Sequence, residues 1–129
     1  MNFREINILG NIINDGWGQI SGESDLSSGS FKIISKITGE DRLRITCMVV
    51  TNLLDRREMQ IEASKVYDQL NKACNERLKA IKKDFKTNAG RALKTKELGH
   101  DSSVELMNYN PHNPKGTSLI RCVYNFEIK

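Results

Sequence analysis

Near Val50 the apolar residues of this chain change their period from two to between three and four, and that change limits the architecture more than any other feature. Upstream, Phe31, Ile33 and Ile37, and then Leu43, Ile45, Cys47 and Val49, alternate with polar or charged neighbours across the turn Thr38-Gly39-Glu40-Asp41. A period of two on both sides of a glycine-bearing turn is the signature of a β-hairpin. Ile34 interrupts the polar face only locally. Downstream, Met59, Ala63, Val66, Leu70, Ala73, Cys74, Leu78, Ile81 and Phe85 recur every three to four residues, which places them on one stripe of a long amphipathic helix.

The ends of that helix carry chemical marks. Asp55 can accept hydrogen bonds from the first free amides and Glu58 stands three residues on, the spacing of a capping box with Asp in place of Ser or Thr. A helix from Asp55 to Lys86 would be ~48 Å long at ~1.5 Å per residue, so it is expected to overhang its sheet or meet a partner. Asn88 and Gly90 mark a break, after which Arg91 to Leu98 are expected to resume a short helix.

Flanking segments complete the layout. Phe3, Ile6, Leu9, Ile13 and Trp17 recur at helical spacing and predict a short N-terminal helix, although Asn, Gly and β-branched residues weaken it. Gly16 to Ser30 is rich in Gly, Ser and Asp and reads as a mobile loop. Val104 to Tyr109 and Thr117 to Ile128 read as strands on either side of a turn containing Pro111 and Pro114. In the last strand Ile120, Cys122, Tyr124, Phe126 and Ile128 alternate with polar residues, so one apolar face needs cover, and the long helix supplies a matching stripe. The expected fold is therefore a single α+β domain over residues 1–129. It has a four-stranded antiparallel sheet covered on one face by the long amphipathic helix, with a short N-terminal helix.

Charge is distributed unevenly over this frame. Between Arg77 and Lys96, eight basic residues face one acid, Asp84, for a formal charge of +7, while the other 109 residues sum to −3. Clustered like charge repels itself and is relieved by a polyanion or an acidic partner. On a helical wheel Lys79, Lys82, Lys83 and Lys86 lie within about 100° of one another and about 125° from the stripe at Ile81 and Phe85. With Arg91 and Lys94 they are the candidate contact for nucleic acid or an acidic partner. The plain alternative is a solvated outer face, to which lysines near a helix C-terminus are drawn by the dipole alone. Aromatic support for base stacking is thin: Tyr67, Phe85, Tyr124 and Phe126 fall on apolar faces, leaving Tyr109 with His112, and Trp17, at loop or element ends.

No catalytic constellation emerges. His100 and His112 have neither Cys at zinc spacing nor a second His one turn away, and neither a metal nor a cofactor is expected. Gly16-Trp17-Gly18 with Gly22 departs from the dinucleotide fingerprint, and no Gly-Lys-Ser/Thr loop or Gly-x-Ser-x-Gly elbow occurs. His100-Asp101-Ser102 holds triad residue types, but three sequence neighbours rarely converge as a triad. Cys47, Cys74 and Cys122 are odd in number and widely spaced, which points to a reducing compartment without a disulfide framework. The N-terminal residues form no signal-peptide core, and no apolar run approaches the ~20 residues that span a bilayer.

The segment Ile81-Lys82-Lys83-Asp84-Phe85-Lys86, continuing through Ala89-Gly90-Arg91-Ala92-Leu93-Lys94 to Ser103-Val104-Glu105, resembles a pattern in small uncharacterised proteins of tailed marine bacteriophages. The resemblance covers about a fifth of the chain. It implies a viral setting, a virion or host-cytoplasm location, and a role as a virion structural or assembly protein, with no catalytic residues to carry over. The expected protein is thus a non-enzyme acting through contacts with its own copies or other virion proteins, without a membrane. The alternative is a basic nucleic-acid-binding accessory protein.

Overall fold

The structure, a computed structural model, describes residues 1–14, 19–24, 29–39, 41–53, 56–107 and 116–129, with side chains described over 1–13, 32–39, 41–49, 64–104 and 119–129. In chain order it comprises α1 (Phe3–Asn14), β1 (Gln19–Ser24), β2 (Gly29–Ile37), β3 (Arg42–Leu53), α2 (Arg56–Ala89), β4 (Thr95–Met107) and β5 (Gly116–Ile128). All strands pair antiparallel in one sheet of order β1-β2-β3-β5-β4. The antiparallel sheet, the long helix over one of its faces and the short N-terminal helix stand as the sequence pattern requires.

Period-two patterning decides which face is covered. Ile33 on β2, then Leu43, Ile45, Cys47 and Val49 on β3, and Ile120, Cys122, Tyr124, Phe126 and Ile128 on β5 are all buried, and the register sets Leu43 against Phe126, Ile45 against Tyr124 and Cys47 against Cys122. Against this layer α2 sets Val66, Leu70, Cys74, Ile81 and Phe85, and α1 sets Leu9, Ile12 and Ile13, so that helices and sheet share one core. Phe3, expected on the apolar face of α1, is instead 80% exposed. The start of α1 is fixed by a reciprocal cap: Asn2 Oδ1 accepts the Glu5 amide at 2.9 Å, and Glu5 Oε1 accepts the Asn2 amide at 3.1 Å.

The structure corrects the sequence reading in four places. Gly16 to Ser30 is not wholly a loop: Gln19–Ser24 forms β1, an additional edge strand that makes the sheet five-stranded, held by backbone pairing with Gly29–Ile34. Backbone ladders need no apolar residues, so this strand left no hydrophobic pattern. Arg91 to Leu98 does not resume a helix. Gly90, at φ 78°, ends α2 with its amide on the Lys86 carbonyl, and the chain enters β4 through a paired backbone contact between Lys94 and Lys129. β4 then begins at Thr95, nine residues before the strand expected at Val104, because long-range pairing with the apolar β5 overrides the weak local preference of a polar stretch.

The fourth correction concerns length. α2 has 34 residues, ~51 Å at ~1.5 Å per residue, while β3, β4 and β5 have 12 to 13 residues, ~41–44 Å at ~3.4 Å per residue. The helix is thus ~7–10 Å longer than these strands, yet over the described side chains its stripe is covered from Val66 to Phe85. The proposed cap at Asp55 and Glu58 lies outside the described residues, as do the side chains of Met59 and Ala63. Among the described residues no helix is long and apolar enough to cross a membrane.

Candidate functional site

Burial of the stripe sets the rotation of α2 and thereby turns its opposite face outward. Lys79, Lys83 and Lys86 are exposed and Lys82 is half-buried along that crest, and among the described residues none of the four ammonium groups forms an ion pair or hydrogen bond. The row extends further toward the N-terminus than the sequence reading took it. Lys65 and Lys72 are exposed as well, so Lys65, Lys72, Lys79 and Lys86 recur every seven residues, ~10.5 Å apart along the axis. Exposed Asp68 and Glu76 interrupt the crest in its first half, which leaves the last three turns the most basic.

Two arginines of the basic segment are placed elsewhere. Arg77 falls in the stripe itself, 3% exposed, with its Nε–H on Ser35 Oγ at 3.2 Å. Burial pulls its pKa below the ordinary value, and Asp84 opposes that shift. Arg91 leaves the crest after Gly90 and ties the α2 exit to α1. Its Nε–H donates to Glu5 Oε2, its Nη1 donates to the carbonyls of Ala92 and Lys129 at 3.0 and 3.2 Å, and its guanidinium lies 5.3 Å from the Phe85 ring centroid. The Arg91 contact holds the Glu5 carboxyl below its ordinary pKa, with the Asn2 amide adding to the effect. Lys94 is exposed beside the start of β4. Of the six candidate contact residues, Lys79, Lys82, Lys83 and Lys86 thus share one row, while Arg91 and Lys94 lie off it.

A concave feature lies between the flank of α2 and the β4–β5 pair. Tyr67, Asp68 and Asn71 from α2 face His100 and Ser102 from β4 and Tyr124 and Cys122 from β5 around a cleft of about 300 Å³. His100 stacks on Tyr124, centroids 5.6 Å apart at 29°, with Nδ1 3.3 Å from Glu97 Oε1. Burial raises the pKa of both Tyr67 and Tyr124, which keeps the phenols neutral. The triad types of His100-Asp101-Ser102 do not converge: Asp101 pairs with Val123, on the opposite face of the sheet from His100 and Ser102. Among the described residues no hydrogen bond joins His100 to Ser102, and no group of His, Cys, Asp and Glu could share a metal ion. The cleft can hold a small polar molecule but shows no activated nucleophile.

Cys122 of the cleft lining gathers with two cysteines far from it in sequence. Cys47 and Cys122 are cross-strand partners and Cys74 reaches them from α2, all buried and unbridged. The Cys74 thiol is pushed up by its hydrogen bond to Cys47 and by burial, and the Cys122 thiol by burial, which keeps both protonated in the core. Trp17, Tyr109 and His112 lie outside the described residues. No protein-family model, curated protein or solved structure matches this chain.

Proposed function

We propose that this chain is a non-enzymatic structural or assembly protein that works through protein–protein contacts, in the phage-type setting to which residues 81–105 point. Copies associate through β4. The observation that carries this reading is the edge itself. β4 runs for 13 residues, pairs only with β5 among the described strands, and leaves Lys96 to Ser103 exposed. A long open edge offers a row of backbone donors and acceptors that a second copy can complete. The bulge between Glu97 and Gly99 and the charges at Lys96, Glu97 and Asp101 restrict pairing to a partner that matches them, which favours a closed assembly over open stacking. The overhanging helix, offered by the sequence as a second motive, no longer contributes where its stripe is described. Light scattering from 5 µM to 500 µM, about two decades of mass action, tests the reading. A rise in mass that Ser103→Lys suppresses supports it; a constant monomer mass removes it.

The nucleic-acid reading keeps one specific support, the unpaired lysine crest. If Lys65, Lys72, Lys79 and Lys86 each neutralise a phosphate, affinity for duplex DNA falls with a log–log salt slope of about −3.6, roughly 150-fold between 50 and 200 mM salt. Replacement of Lys79, Lys82, Lys83 and Lys86 by Glu then removes binding. A slope near zero rejects this alternative.

A further inference from the structure

The face of the sheet turned away from both helices carries its own pattern. Where the covered face buries every described residue of β3 and β5, none of the described side chains on this open face is buried. The register assembles it from four strands. Ile34, Thr46, Val123 and Asp101 stand side by side across β2, β3, β5 and β4; on one flank lie Lys36 and Arg44, on the other Lys32, Met48 and Arg121. Arg42 and Lys96 lie beyond them with Glu127, to which Arg42 is paired at 3.6 Å. Among the described residues, six cations therefore meet two acids on this face. The Arg44 guanidinium is steadied across the strands by its Nε–H on Asn125 Oδ1 at 3.2 Å.

From this arrangement we infer that the open face docks an acidic amphipathic helix of a partner protein, lying across the strands. The inference rests on the assembly reading, because it names the chemistry of a second contact. Three features select that occupant. The half-buried Ile34, Thr46 and Val123 form one row on strands spaced ~4.8 Å apart, close to the ~5.4 Å pitch of a helix, with Met48 on its flank, so apolar residues at i, i+4 and i+7 of the partner step from one strand to the next. The cationic rows lie two residues to either side along the strands, ~7 Å from the apolar line, which is where the flanks of a helix ~10 Å wide would place Asp and Glu. Asp101 closes the β4 end of the line and favours the positive N-terminus of the incoming helix there, which orients it from β4 toward β2. No aromatic ring is described on this face, so single-stranded nucleic acid would find cations but no stacking platform.

The test uses the full chain and a synthetic 14-residue helical peptide with Leu at i, i+4, i+7 and i+11 and Glu on both flanks. Binding is read by fluorescence anisotropy and by amide shift mapping. The expected result is saturable binding with shifts on Ile34, Thr46, Met48 and Val123, weakened at least ~tenfold by Lys36→Glu with Arg44→Glu and by Val123→Asp. Lys79→Glu with Lys83→Glu on the crest leaves it within ~twofold. Thermal melts of each variant, matched to the parent, show that the fold is retained; if Val123→Asp melts early, the Lys36/Arg44 pair and the shift map decide. The inference is overturned if a scrambled peptide of equal composition binds as well, if the shifts fall elsewhere, or if an oligonucleotide binds this face more tightly than the peptide. Self-association through β4 is measured on the same samples by light scattering, so failure of peptide docking with association intact removes only this inference, and a monomer at every concentration removes the assembly reading.

Discussion

Phe85→Ala is the perturbation that most directly probes how α2 is seated. The side chain is fully buried in the core that α2 shares with the sheet and α1, on the same stripe as Ile81, and it carries the Arg91 guanidinium on its ring. Burying a phenylalanine removes ~200 Å² from water, worth ~5 kcal/mol at ~25 cal/mol per Å², of which the remaining alanine keeps a part. Loss of the contact with a partly exposed arginine adds ~0.5 kcal/mol. The expected cost is ~4 kcal/mol, inside the range of about 3–5 found for Phe to Ala in packed cores. With an unfolding entropy of ~270 cal/mol/K for 129 residues, this lowers Tm by ~15 °C. Urea and thermal unfolding followed by circular dichroism measure it, and a double-mutant cycle with Arg91→Ala isolates the ring–guanidinium part. A loss below ~1.5 kcal/mol would refute the placement of Phe85 in the core, and with it the rotation that turns the lysines outward.

Three further outcomes follow from other parts of the molecule. The Glu5 carboxyl, ordinarily near 4.5, is lowered in the fold by Arg91, so its contribution to stability is present above that ordinary value and is lost as pH falls through the lowered one. Glu5→Gln should therefore be less stable than the parent at pH 7 and lose less on acidification below pH 4.5, as denaturation midpoints across pH will show; parallel curves would contradict the pairing. Gly90→Ala meets nothing within 4 Å but must adopt φ 78°, and should cost ~1–2 kcal/mol in urea unfolding with the helix content of the native state unchanged. Cys47, Cys74 and Cys122 should not react with a thiol reagent in the native state and should yield three equivalents in denaturant; fast native labelling of any of them would contradict their burial.

What could be read from the sequence divides along burial. Leu43 to Val49 and Ile120 to Ile128 announce their covered face through strict alternation, and Val66 to Phe85 announce theirs through helical spacing, because each pattern is imposed by one core. β1 and the first half of β4 are edge segments held by backbone pairing, so Gln19–Ser24 and Thr95–Ser103 carry no apolar alternation and read as loop or helix in the sequence. Arg77 belongs by charge with its basic neighbours but by number with the stripe, one turn before Ile81; the spacing is a usable signal that residue type conceals. The lysine crest was legible because one helix holds all of it. The open face, drawn from Lys32, Lys36, Arg44 and Arg121, and the cleft shared by Tyr67, His100 and Tyr124 arise from pairings across as many as 81 positions in the chain, which local periodicity does not encode.

Association along β4 is tested most directly by amide hydrogen exchange of the full chain at low and high concentration. The outward-facing amides of β4 should exchange rapidly in dilute solution and gain at least ~tenfold protection when the chain is concentrated, while the crest of α2 is unchanged. Exchange of β4 that does not depend on concentration, in a chain whose β5 amides remain protected, would contradict the assembly account.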